Sequence, residues 1–315
     1  MSKCIYFRLI FVVNKKTNML TLDPKTLPIP KLHQYLLGAI GPRPIAFAST
    51  IDEAGNSNLA PFSFFNVFSA NPPILIFSPA RSGRTNETKD TYKNVKVHPE
   101  VVINVVNYDI VHQMSLASSP YAPGVSEFLK AGFTPIKSDL IKPMRVAESP
   151  VQFECKVNEV IELGAEGGAG NLIICEVVKI HIHEDVLDEN GMIDQHKIDL
   201  VSRMGGNWYC RADEKSMFEI MKPITTCGIG FDHLPADIRN SNLLTGNDLG
   251  HLAGIEEIPN ETDVNEYKLI ELSELFVSLE NEPVKLEESL HQRAKELLQE
   301  NKLEEAWLTL LSFNN

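Results

Sequence analysis

The chain has 315 residues, 43% of them hydrophobic, enough to bury a sizeable core in one large or two small domains. A formal net charge of −13 argues against nucleic acid as a partner, because that binding runs on Lys and Arg contacts to phosphate. The five cysteines (Cys4, Cys155, Cys175, Cys210 and Cys227) form no CxxC pair and are odd in number, which fits small hydrophobes in a reduced, cytoplasmic protein better than a disulfide framework.

The apolar run at residues 5–13 is interrupted by Arg8 and followed by Asn14, Lys15 and Lys16 rather than a cleavage site. It reads as an N-terminal extension over residues 1–18, with Met19 opening the domain proper. No run of about 18 apolar residues occurs, so no spanning helix and no membrane partner are expected.

Residues 41–66 read GPRPIAFASTIDEAGNSNLAPFSFFN. The pattern predicts a strand over 45–50, a turn at 52–55 and a second arm. In that arm Asn58, Pro61, Ser63 and Asn66 interrupt a Phe-rich run. Proline removes a ladder donor and belongs at sheet edges, and polar groups among apolar ones need partners. Such a segment suits the wall of a site for a polar, flat ligand.

Further strands are expected over 62–69, 74–78, 101–106, 151–163 and 172–183, bounded by Gly, Pro, Asn and Asp. Residues 164–170 read as a flexible hairpin connection. Short helices are expected over 88–97, 109–117 with Asp109 as N-cap, and 126–131 closed by Gly132. Many strands with small helical inserts indicate a mainly β barrel with peripheral helices, and no GxGxxG follows a strand. Residues 240–261, rich in Asn, Gly and Asp, read as irregular. Residues 286–311 read as a helical hairpin turning at 299–302. The boundaries are therefore set at 19–255 for the barrel and 256–315 for an acidic helical tail.

Three constellations could carry chemistry. Residues 81–91 (RSGRTNETKDT) place two arginines and a lysine at a loop-to-helix boundary, where free N–H groups and the helix dipole favour an anion such as phosphate. Ser49, Thr50 and Ser63 offer hydroxyls to the same pocket. Residues 200–209 (LVSRMGGNWY) combine paired glycines with Arg203, Trp208 and Tyr209. His181 and His183 alternate on a strand, but no clear third ligand accompanies them, so no metal is assigned. No GxSxG, HExxH or Walker motif occurs, and no catalytic side chain is assigned.

Taken together, residues 41–50, 58–79, 84–94, 101–106 and 202–212 resemble the flavin reductase-like family, of the bacterial flavoredoxin and flavin reductase type. The resemblance runs over roughly 20–252 and includes FDHLPADIRNSNLLTGNDLG at 231–250. It implies an FMN-binding split β-barrel of Greek-key type that works as a homodimer. By position, Ser49, Thr50, Asn58, Ala60, Pro61, Ser63 and Phe64 would line the flavin ring and ribityl chain. Arg84, Lys89, Asp90 and Thr91 would sit near the phosphate, and Arg203 and Trp208 at the pocket mouth, in reach of the other subunit. The implied activity is an NAD(P)H:FMN oxidoreductase that passes electrons to a further acceptor, a protein included. The rival readings are an FMN-binding carrier or sensor without nicotinamide turnover, and an FMN-dependent oxidase of a small molecule.

Overall fold

A computed structural model describes residues 19–122, 124–220 and 226–314. The extension at 1–18 and Cys4 lie outside the described residues. The chain divides into two compact units, one up to Phe218 and one from Glu219.

In the first unit, helix α1 (Ile29–Ala39) precedes strands β1 (Ala46–Ile51), β2 (Ser57–Phe62), β3 (Phe65–Ala70) and β4 (Pro73–Phe77). Helix α2 (Asp90–Val97), strand β5 (Glu100–Val105), and helices α3 (Val111–Ala117) and α4 (Glu127–Ala131) follow. Two short pairs, β6 (Pro135–Ile136) with β7 (Arg145–Val146) and later β10 (Val201–Arg203) with β11 (Tyr209–Arg211), flank the long hairpin of β8 (Val151–Glu162) and β9 (Asn171–Ile182).

Seven strands form one antiparallel sheet in the order β2-β1-β5-β8-β9-β4-β3. Its two edge strands, β2 and β3, are consecutive in sequence and joined by Ser63 and Phe64 alone. A two-residue link between opposite edges obliges the sheet to curl until those edges meet. The seam is closed by contact between the two ends of the sheet: the ring of Phe62 in β2 lies 5.6 Å from that of Phe77 in β4. The result is the split barrel implied by the resemblance. Proline at β2 is tolerated because its outer edge has no strand partner.

The even residues of β1 face the barrel interior, where Ala46 and Ala48 pack with Leu75, Phe77, Ile103, Cys155 and Ile173. Cys155 and Cys175 are buried there as small hydrophobes, and burial pushes both thiols up. Phe47, and Ile45 just before the strand, face outward and pack with Met114 of α3 and Phe128 of α4. Residues 164–170 do not form a free connection. Arg81 N–H donates to the Ala169 carbonyl at 2.8 Å, Gly168 N–H donates to the Arg81 carbonyl at 3.1 Å, and Asn86 Nδ2 donates to the Ala165 carbonyl at 3.0 Å. A Cβ on Gly167 would lie 2.9 Å from the Ser82 carbonyl, so that glycine permits the close approach. Helix α3 starts later than expected: Ile110 is its N-cap and Asp109 precedes it.

The second unit is helical. It contains α5 (Ala236–Arg239), α6 (Gly246–Leu252), α7 (Glu261–Glu271), α8 (Ser273–Ser278), α9 (Pro283–Gln299) and α10 (Leu303–Leu311). Helices α9 and α10 are the expected hairpin. The boundary is not at 255, because Leu234, Ile238, Leu249 and Leu252 share one core with Ala294, Leu297 and Trp307. Residues 240–261 are likewise not irregular throughout. Thr245 and Asp248 make a reciprocal capping box that starts α6 inside the Asn- and Gly-rich stretch.

Candidate flavin site

Strand β2 carries the site, with one polar pole at each end. At Asn58, the side chain reaches across to Thr50 of β1 and to Thr91 of α2. Its Nδ2 donates to Thr50 Oγ1 at 3.3 Å and to Thr91 Oγ1 at 3.0 Å. Asn94 Nδ2 donates to the same Thr50 hydroxyl at 3.0 Å. Thr50, Thr91 and Asn94 are buried, and Asn58 is half-buried. This network fixes the first turn of α2 against β1 and β2.

Lys89 is the N-cap of α2 and Asp90 its first residue, paired with Lys93 at 2.8 Å. Lys89 and Arg84 are exposed, and among the described residues neither side chain has a hydrogen-bond or carboxylate partner. By contrast, Arg81 is committed to Asn86 through Nε at 2.8 Å and Nη2 at 2.8 Å. Two uncommitted cations beside a helix N-terminus are the donor set an anionic end-group needs.

Three residues on from Asn58, about 10 Å along an extended strand, Pro61 and, just past the end of β2, Ser63 line a cavity of about 170 Å³ with Ser115, Ser118, Arg203 and Tyr209. Arg203 stacks over the Tyr209 ring at 4.6 Å. Its position is set from behind by Arg43, a buried residue the sequence reading passed over. The two exchange backbone hydrogen bonds, at 3.0 Å and 2.8 Å. The Arg43 guanidinium donates to the carbonyls of Leu37 (3.0 Å), Ile40 and Met204 (2.8 Å), tying α1 to the β10–β11 turn. Burial and the neighbouring Arg203 charge both lower the Arg43 pKa.

Glu127 is a second residue the sequence reading missed. Its Oε2 accepts the outward N–H of Leu59, on the free edge of β2, at 3.0 Å. With Asn58, Asp90, Lys93 and Asn94 it lines a cavity of about 280 Å³. Burial pushes its carboxyl up, backbone N–H groups including that of Leu59 oppose this, and Asp90 adds to the rise. An acid following Ser126 reads in sequence only as helix-start chemistry, and its reach to β2 is a tertiary fact.

The remaining expected residues separate. Ser49 and Thr50 point to opposite faces of β1, as neighbours on a strand must. The Ser49 hydroxyl is fully buried without a partner, away from the Thr50 network. Ala60 lies between the two poles on β2, and Phe64 is exposed at the seam, its ring 6.3 Å from that of His33 in a T-shaped pair. Trp208, at the tip of the β10–β11 turn, is 77% exposed and does not line the cavity that holds Arg203. His181 Nε2 lies 2.7 Å from Glu154 Oε1. That buried carboxylate also accepts the N–H groups of Asp139 and Leu140 at 2.7 Å each, which makes it a brace for the 137–145 loop.

Residues 39–199 match the flavin reductase like domain family. An uncharacterized protein from Aquifex aeolicus is 37% identical over 181 residues, covering 58% of this chain and 90% of that protein. The crystal structure of nitrilotriacetate monooxygenase component B from Bacillus cereus is similar at 31% identity and a TM-score of 0.60, over 64% of this chain and 98% of its own. That of a 2-nitrobenzoate 2-nitroreductase from Pseudomonas fluorescens is 25% identical with a TM-score of 0.59, over 67% and 100%. The chain belongs to the flavin reductase-like family of split barrels.

Proposed function

We propose that the protein binds FMN along β2 and transfers hydride from NAD(P)H to it, passing electrons on to a further acceptor. The observation that carries this reading is the pairing of two uncommitted cations, Arg84 and Lys89, with the buried Thr50–Asn58–Thr91–Asn94 network at one end of a free strand edge. The donor set fits the group: an anionic end at α2, a polyol beside Asn58, and a flat ring toward Pro61 and Ser63. The flavin ring, when bound, supplies the hydride-accepting chemistry.

The chain's own residues bind and orient. Arg84 and Lys89 neutralise the phosphate, and Thr91 and Asn58 fix its neighbourhood. At the free edge of β2, Pro61 lacks a donor and the Leu59 N–H is taken by Glu127, so backbone donation to the ring falls to Ser63. Arg203, held by Arg43, places positive charge where negative charge grows on the ring during reduction, an electrostatic stabilisation that asks no proton of the protein.

Two features support assembly as a homodimer. Helix α1 has eleven residues and buries none of them, with Ile29, Leu36 and the C-cap Ile40 exposed. Edge strand β3 exposes Val67 and Phe68. A second copy would cover this apolar surface and could bring Trp208 to the neighbouring site. Free, buried Cys155 and Cys175 fit a reducing, cytoplasmic setting. No helix among the described residues is long and apolar enough to cross a membrane.

Anaerobic addition of NADH or NADPH to the FMN-loaded protein tests the reading. Bleaching of the bound yellow chromophore supports it. Tight FMN with no nicotinamide oxidation would instead make the protein a carrier.

A further inference from the structure

The charge of this chain is segregated. Residues 219–315 hold 19 acidic and 7 basic residues, a net −12, whereas residues 1–218 hold 23 and 22, a net −1. Almost the whole −13 therefore sits on the helical unit, beyond the stretch matched by the family.

That unit also contains a groove of about 840 Å³ running along α9. Its floor is apolar: Leu243, Leu275 and Leu279. Two rows of α9 residues spaced by four form its wall. Glu288, Gln292, Glu296 and the C-cap Glu300 make one row, and Lys285, Ser289, Arg293 and Leu297 the other. At 1.5 Å per residue the span from 285 to 300 is about 22 Å, or four helical turns. The two cations of the wall are engaged within the unit, Lys285 with Glu282 and Arg293 with Glu271 at 3.8 Å. Beside the groove, α8 buries none of its residues, and Val277 is 76% exposed.

We propose that this groove docks a basic amphipathic helix presented by another protein. A wall about four turns long beside an apolar floor matches one face of a helix of some 15 residues, the helix-in-groove mode of recognition. The acidic row along one wall pairs with Lys or Arg on its flank, and the −12 field steers the encounter. The inference is independent of the flavin reading, because it rests on the second unit alone.

The test uses the full chain and two fluorescein-labelled 15-residue probes, a leucine/lysine amphipathic helix and its leucine/glutamate counterpart, followed by anisotropy. The lysine probe is expected to bind and the glutamate probe not. Glu288→Lys with Glu296→Lys should weaken binding about tenfold or more. The same charge change outside the groove, Glu256→Lys with Glu257→Lys, should cost less than about threefold. Leu279→Ser should also weaken it, with the thermal midpoint of each variant confirming folding. If the double variant unfolds, Glu288→Lys alone serves. Equal loss from the two charge pairs, equal binding of both probes, or no binding would overturn the proposal. So would tighter binding in the groove by a peptide of residues 1–18, whose net charge is +4, since the occupant would then be the chain's own end.

Discussion

Replacing Arg84 and Lys89 together by Ala removes both uncommitted cations beside α2. A hydrogen bond to a charged group contributes about 1.5 to 3 kcal/mol. Both side chains are exposed, so solvent screening favours the lower figure for each. The pair then stabilises bound FMN by about 3 kcal/mol, roughly a hundredfold in Kd. The fold should be untouched within about 0.5 kcal/mol, because neither side chain has a partner to lose. The assay is titration of flavin fluorescence quenching at low salt, with riboflavin as the control that lacks the phosphate. The double variant should lose FMN affinity, keep riboflavin affinity, and show a shallower salt dependence. Unchanged FMN affinity, or equal loss of FMN and riboflavin, would refute the placement of the phosphate.

Arg43→Ala strips the donor from three backbone carbonyls and frees the support of Arg203. Thermal unfolding should show a loss of about 2 kcal/mol, with weakened flavin binding alongside. Thr91→Val deletes the hydroxyl that accepts from Asn58 and should cost about 1 to 2 kcal/mol, read by denaturant titration. Glu127 has a folded pKa raised by burial, so the fold holds its proton more tightly than the unfolded chain does. Its contribution to stability is present below the unfolded-state pKa and lost as pH rises through the folded one. Glu127→Gln, whose carbonyl oxygen can still accept from Leu59, should remove that pH-dependent loss and leave the variant the more stable near neutrality. An unchanged pH profile would contradict this.

The parts of the fold set by local chemistry could be read from sequence. Proline and asparagine in the 58–66 arm marked β2 as an edge carrying polar groups, and the cationic composition of 81–91 singled out Arg84 and Lys89, whose side chains have no partner among the described residues. The α9–α10 hairpin followed from its strong helix formers. What escaped depends on pairing across distance. Nothing local says that β2 and β3 lie at opposite edges and meet at Ser63 and Phe64. Arg43 looks like any arginine between prolines until its three carbonyl partners are placed. The Thr245–Asp248 capping box was hidden by the loop-like composition around it. Ser49 and Thr50, read together as hydroxyl donors, are separated by the pleat of β1. Trp208 looked like a pocket aromatic but stands at the tip of a turn.

The central claim is that β2 holds a flavin that nicotinamide reduces. Anaerobic mixing of the FMN-loaded protein with NADH and, separately, NADPH tests it most directly, with the absorbance of the bound chromophore followed before and after filtration. At least one nicotinamide is expected to bleach the yellow colour, and oxygen or another acceptor to restore it. A protein that retains no FMN and oxidises neither nicotinamide would contradict it.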